Sequence, residues 1–274
     1  MRRPPPDSKS SVSVVSKRHL SSLIEVAGRQ LEYVVKNESG SLPTLVFLHE
    51  GLGSIELWRS FPDEVVETTE HRGLVYSRSG HGRSEPADGS RPIDFVDREA
   101  LDVLPPLLDR FDAPQPILIG HSDGASIALV YAAYHPTTAL VLLAPHVFVE
   151  EEGLAKIREL GRQPQRDQLI DKLARYHRDP AATFSAWNGV WLHPGFRDWN
   201  IEGLLDRIEC PVLLIQGLND EYGTMAQIDA IERQLSGPVE RVELAECGHS
   251  PHLSQPEQTL EATVKFIRDV CGEG

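Results

Sequence analysis

Gly120-His121-Ser122-Asp123-Gly124 sets a serine between two glycines where a buried apolar stretch, Pro116-Ile-Leu-Ile-Gly120, gives way to small and apolar residues, Ala125–Ala133. At a strand-to-helix junction this pattern suits a sharp turn, because small neighbours let the serine adopt a strained backbone geometry. The start of a helix also presents unpaired N–H groups that favour developing negative charge. The plainer alternative is a strand-to-helix turn capped by Ser122. A serine hydroxyl attacks a carbonyl only with a base beside it, and two later segments supply candidates. Asp220 closes Gly217-Leu-Asn-Asp220 just past the apolar Val212–Ile215, and His249 lies in Glu246-Cys-Gly-His249-Ser-Pro-His252 just past Val242–Leu244. Serine, acid and histidine, each beyond the C-terminal end of a strand, fall on one edge of a parallel sheet. His249 would then take the Ser122 proton and return it to a leaving group, while Asp220, with Glu221 as its neighbouring rival, would orient the imidazole. A glycine-rich loop, His49-Glu50-Gly51-Leu52-Gly53-Ser54, follows another apolar stretch and can offer the N–H groups of Gly51 and Leu52 to an oxyanion opposite the N–H of Asp123.

Positioning these residues requires regular elements. Leu23–Val26 and Leu31–Val35 flank Ala27-Gly28-Arg29 and read as an opening hairpin. Strands are expected at Thr44–His49, Gly73–Tyr76, Pro116–Gly120, Leu140–Leu143, Pro211–Ile215 and Val239–Leu244, with helices near 56–69, 95–111, 125–133, 225–235 and 257–271. Strands that are apolar throughout, separated by helices, predict an α/β fold: a mostly parallel central sheet covered by helices on both faces. Residues 147–208 break the rhythm, with helical patches and three of the four tryptophans but no clear strand. That segment reads as a helical cap inserted after the sixth strand, or as an ordinary helical layer. The division is then 21–146 and 209–274 as core, 147–208 as cap, and 1–20 as a disordered tail.

The chain has 274 residues, 40 % hydrophobic and 25 % charged, an ordinary globular composition. No apolar run approaches the roughly 18 residues of a membrane helix. No membrane is therefore expected as a partner, and a net charge of −14, which repels phosphate backbones, makes nucleic acid an unexpected one as well. Three widely spaced cysteines, Cys210, Cys247 and Cys271, argue against a disulfide framework and for a cytoplasmic protein. The basic, serine-containing N-terminus lacks the apolar segment of a secretory signal; an organelle-targeting segment is the alternative to a disordered tail.

On His49-Glu-Gly-Leu-Gly-Ser54, Gly80-His-Gly-Arg-Ser84, Gly120-His-Ser-Asp-Gly124, Gly217-Leu-Asn-Asp220 and Gly248-His-Ser-Pro-His252, the sequence resembles the α/β-hydrolase superfamily from about residue 22 to 271. The resemblance implies a catalytic triad of Ser122, Asp220 and His249 and an oxyanion hole from Gly51, Leu52 and Asp123. Relatives that open epoxides or displace halide carry aspartate at the nucleophile position, so Ser122 points to acyl chemistry. The expected function is a cofactor-free serine hydrolase cleaving a small carboxylic ester, thioester or lactone through an acyl-enzyme. Carbon–carbon bond hydrolysis on the same triad and a small-molecule receptor with little turnover are the alternatives. Many relatives have glycine where this chain has Glu50, which either shapes substrate choice or turns into a local hydrogen bond. His146 and Phe148, just past Leu140–Leu143, and Trp187 and Trp191, four apart, are expected to line the substrate pocket, with one tryptophan in the core and one in the wall. His121 reads as structural, and Arg78 and Arg83, which flank the Gly80 loop, read as solvated or structural rather than anion-binding. His252 lacks the companions of a metal ligand, so no metal is expected. A monomer or homodimer is expected.

Overall fold

The computed structural model describes residues 21–86 and 90–272, so the expected N-terminal tail lies outside the described residues. Eight strands form one sheet: β1 (Ser22–Val26), β2 (Arg29–Lys36), β3 (Ser41–Leu48), β4 (His71–Ser77), β5 (Ile117–His121), β6 (Ala139–Leu143), β7 (Val212–Gly217) and β8 (Val239–Leu244). Their order is β1-β2-β4-β3-β5-β6-β7-β8. β1 with β2 and β2 with β4 pair antiparallel, and every other pairing is parallel.

The continuous apolar strands are explained by the two cores they separate. Leu45 and Phe47 of β3, Ile117 and Ile119 of β5, and Leu213 and Ile215 of β7 enter one apolar cluster, while Val46, Leu48, Leu118, Val212 and Leu214 enter the other. Side chains alternate across a strand, so a sheet buried on both faces needs apolar residues at every position. Helices α1 (Phe61–Thr69) and α10 (Pro256–Cys271) pack on the first face; α2 (Phe95–Arg98), α3 (Leu104–Arg110), α4 (Asp123–Ala132) and α8 (Met225–Gln234) contribute to the second. Between β6 and β7 lie α5 (Glu151–Leu160), α6 (Gln165–Leu173) and α7 (Pro180–Trp191); α9 (Pro251–Ser254) follows β8. Among the described residues no helix is long and apolar enough to cross a membrane.

Two helices depart from expectation: that expected over 56–69 begins only at Phe61, after a 3₁₀ turn at Ile55–Trp58. The helix expected over 95–111 is interrupted by a π-helical turn at Glu99–Val103 before α3. Pro105 and Pro106 follow directly, and prolines lack the N–H that would carry an unbroken i→i−4 ladder through this stretch.

Candidate active site

Ser122 joins β5 to α4 with φ 53° and ψ −117°, a conformation that costs an L-residue energy and projects its side chain out of the turn. The flanking glycines are required by close approach. A Cβ on Gly120 would sit 2.6 Å from the backbone N of Ala125, and one on Gly124 would overlap the carbonyl of Leu48. Strand, helix and the end of β3 therefore meet at distances that no side chain fits between.

His249 Nε2 lies 2.9 Å from Ser122 Oγ, and His249 Nδ1 lies 2.9 and 2.8 Å from the two Asp220 oxygens. A carboxylate only accepts, so Nδ1 carries the proton and Nε2 presents its lone pair to the serine. Asp220 also accepts from Gln216 Nε2 and the Tyr222 N–H, each at 2.8 Å. Burial would raise its pKa, but the His249 hydrogen bond outweighs that and holds it at about 2. Glu221, the rival acid, is exposed and makes no such contact; Tyr222 packs its ring 4.7 Å from that of His249.

Asp123 occupies the first helical position, so its N–H has no intrahelical acceptor. Its carboxylate is 1 % exposed, accepts from Trp191 Nε1 at 3.2 Å and faces Arg91 at 3.3 Å and Arg78 at 3.7 Å. Arg78 is buried rather than solvated and donates to the Glu50 carbonyl at 2.8 Å. Burial and the neighbouring Arg78 pull Arg91 down only to about 10, so it keeps its charge at neutral pH. Asp123→Ala would leave two buried guanidinium groups without their carboxylate. The expected cost is about 3–5 kcal/mol in chemical denaturation, and a loss below about 1 kcal/mol would show that the pairing contributes little.

A cavity of about 340 Å³ opens above Ser122. Its walls include Glu50, Gly51, Leu52, His146, Trp187 and Trp191. Both tryptophans are buried and both line it, correcting the expectation of one core and one wall residue. The Trp187 ring covers Gly51, where a Cβ would overlap it. Trp191 packs edge-on to His146, whose pKa burial pushes down to about 3 and which is therefore neutral. Phe148 does not line the cavity. Gln227 brackets its backbone, accepting from the N–H and donating to the carbonyl, and Phe148 pairs with Asn200, which turns this residue toward the apolar layer instead. Leu154, Ile157, Glu150 and Tyr222 complete the walls. They escaped the sequence reading because they come from α5 and from loops whose packing no local pattern reveals; only Tyr222, two residues from Asp220, carried a positional hint.

His252 is buried against Trp58, Phe61 and His121, and burial pushes its pKa down to about 3. Among the described residues no group of three or more His, Cys, Asp or Glu side chains is placed to hold a metal ion.

The sequence model described as "Alpha/beta hydrolase family" matches residues 45–262. The human protein named serine hydrolase BPHL is 30 % identical over 204 residues, covering 71 % of this chain and 69 % of its own. A bacterial membrane phospholipase A superposes with a TM-score of 0.75 at 23 % identity, covering 92 % of this chain and 86 % of its own. A thermophilic esterase from Thermogutta terrifontis gives 0.73 at 17 % identity, covering 92 % and 99 %.

Proposed function

The chain belongs to the alpha/beta hydrolase family and is a hydrolase, and we propose that it is a cofactor-free serine hydrolase cleaving a small carboxylic ester, thioester or lactone through an acyl-enzyme. The observation that carries this reading is the hydrogen-bonded relay from Asp220 through His249 to Ser122 at the cavity. His249 Nε2 takes the Ser122 proton as Oγ attacks the carbonyl carbon. The resulting oxyanion faces the N–H of Asp123 and the Gly51–Leu52 loop. Collapse expels the leaving group, which takes the proton from His249, and water then repeats the sequence on the acyl-enzyme. Asp220, ionised at any working pH, holds the tautomer and stabilises the transient imidazolium.

Residues 147–208 act in this reading as the cap over a core formed by 21–146 and 209–274, because α7 brings Trp187 and Trp191 over the serine. The tryptophans, Leu154 and Ile157 favour an apolar or aromatic substrate. Glu150 and Glu221 border the same space and, among the described residues, no lysine or arginine does, so a free carboxylate on the substrate is disfavoured. The widely spaced cysteines fit a cytoplasmic enzyme.

The test is active-site labelling. Intact mass after exposure to a fluorophosphonate should show one adduct on the wild type and none on Ser122→Ala, and short-chain aryl esters should turn over. A folded wild type that takes no label and turns over no ester would overturn the reading in favour of carbon–carbon chemistry or a receptor.

A further inference from the structure

The imidazole of His121, the last residue of β5, is 1 % exposed and has a hydrogen-bond acceptor on each side. Its Nε2 lies 2.7 Å from the main-chain carbonyl of His249, so Nε2 carries a proton. Its Nδ1 is buried without a hydrogen bond and faces Glu50 Oε2 at 3.6 Å. A neutral ring with its proton on Nε2 would aim the Nδ1 lone pair at a carboxylate, a repulsive arrangement; a doubly protonated ring turns both contacts attractive.

Glu50 is held in place for this contact. Its carbonyl receives three donors, from His49 Nδ1, Arg78 Nη2 and the N–H of Gly53. Its side chain folds back over Gly53, where a Cβ would overlap Oε2. The remaining titratable groups around the His121 ring are His249, with centroids 5.2 Å apart, His252 at 5.1 Å, and His146 more remotely. His252 and His146 are neutral, so neither supplies a competing charge.

We propose that Glu50 and His121 form a carboxylate–imidazolium pair that positions His249 from its main-chain side. This rests on the serine-hydrolase reading for its purpose, though not for its geometry. His249 is then fixed at two points, its ring by Asp220 and its backbone carbonyl by His121. The pair also neutralises a carboxylate that would otherwise stand uncompensated beside the developing oxyanion. Although burial opposes ionisation, the contact with His121 holds the Glu50 pKa at about 2, in keeping with a permanent charge. Glu50 is thus a positioning residue whose carboxylate borders the cavity while its charge is directed into the protein.

The experiment is side-chain nitrogen NMR on the full chain together with kinetics of Glu50→Gln. Under the conditions of the kinetic assay the wild-type His121 ring should show both nitrogens protonated, and in Glu50→Gln it should revert to a neutral tautomer. On a neutral ester, Glu50→Gln should lower kcat about tenfold with KM within about twofold, as expected for a slightly misplaced base. A neutral His121 in the wild type overturns the pair, and that spectrum decides the matter even if the variant does not fold. An unchanged kcat with a KM altered only for charged esters also overturns it, placing the Glu50 charge on the substrate side. Fluorophosphonate labelling separates the two failures: a wild type that labels with a neutral His121 loses the pair alone, whereas one that does not label loses the hydrolase reading.

Discussion

Ser122→Ala and His249→Ala are each expected to lower kcat by about 10⁴- to 10⁶-fold, and the double variant to lose little more than either single one. In the proposed mechanism Ser122, His249 and Asp220 act as one device. With Ser122 removed, His249 has no proton to take from a nucleophile; with His249 removed, the hydroxyl at 2.9 Å remains protonated at neutral pH. Residual rate should come from the N–H donors and the cavity, which both variants keep. Steady-state kinetics on an activated aryl ester check this, with fluorescence melts to show that the fold survives. Losses that multiply in the double variant would mean that Ser122 and His249 act in separate steps. A Ser122→Ala enzyme within about tenfold of wild type would remove the nucleophile from the mechanism altogether.

Gly124→Ala is expected to be among the most damaging additions of a single methyl group at the described glycines. The added Cβ would overlap the Leu48 carbonyl and lie 2.8 Å from the His49 carbonyl oxygen. Both neighbours are backbone, so no rotamer change relieves the clash, and α4 or the end of β3 must move. Overpacking of this kind costs about 3 kcal/mol or more when the structure cannot yield. It should also cost activity beyond the stability loss, because β3 leads straight into the Glu50–Gly53 loop and α4 begins beside Ser122. Gly189, in α7, is the control: nothing lies within 4 Å of its Cβ position. Gly189→Ala should leave stability unchanged or raise it by up to about 1 kcal/mol, through helix propensity. Denaturation midpoints of the two variants that agree within about 1 kcal/mol would refute the close approach at Gly124.

What can be read without a structure here is whatever local sterics and strand burial impose. The G-x-S-x-G turn is legible because a strained serine at a strand-to-helix junction needs small neighbours; the backbone that requires Gly120 lies within five residues, whereas the contact that requires Gly124 comes from Leu48 on another strand. The sheet is legible because strands buried on both faces must be apolar at every position, as in Leu140–Leu143 with all side chains covered. Once the strands are placed, Ser122, Asp220 and His249 necessarily share an edge, since a parallel sheet brings the ends of its strands together. The π-helical turn at Glu99–Val103 escapes a helical period, although Pro105 and Pro106 rule out an unbroken hydrogen-bond ladder there.

Tertiary packing decides the rest. Phe148 and Tyr222 are both aromatic residues near the ends of elements, yet only Tyr222 reaches the cavity, because Gln227 and Asn200 pin the Phe148 backbone elsewhere. Arg91, in the loop between β4 and α2, is folded inward onto Asp123, some thirty residues away in sequence. Glu50 could have faced substrate or protein, and only the position of His121 at the end of a different strand directs its charge inward. These outcomes depend on which side chains distant segments bring within a few ångströms. Burial removes water as the competing partner, so those encounters, which no local pattern encodes, determine which charges are paired and which walls the substrate meets.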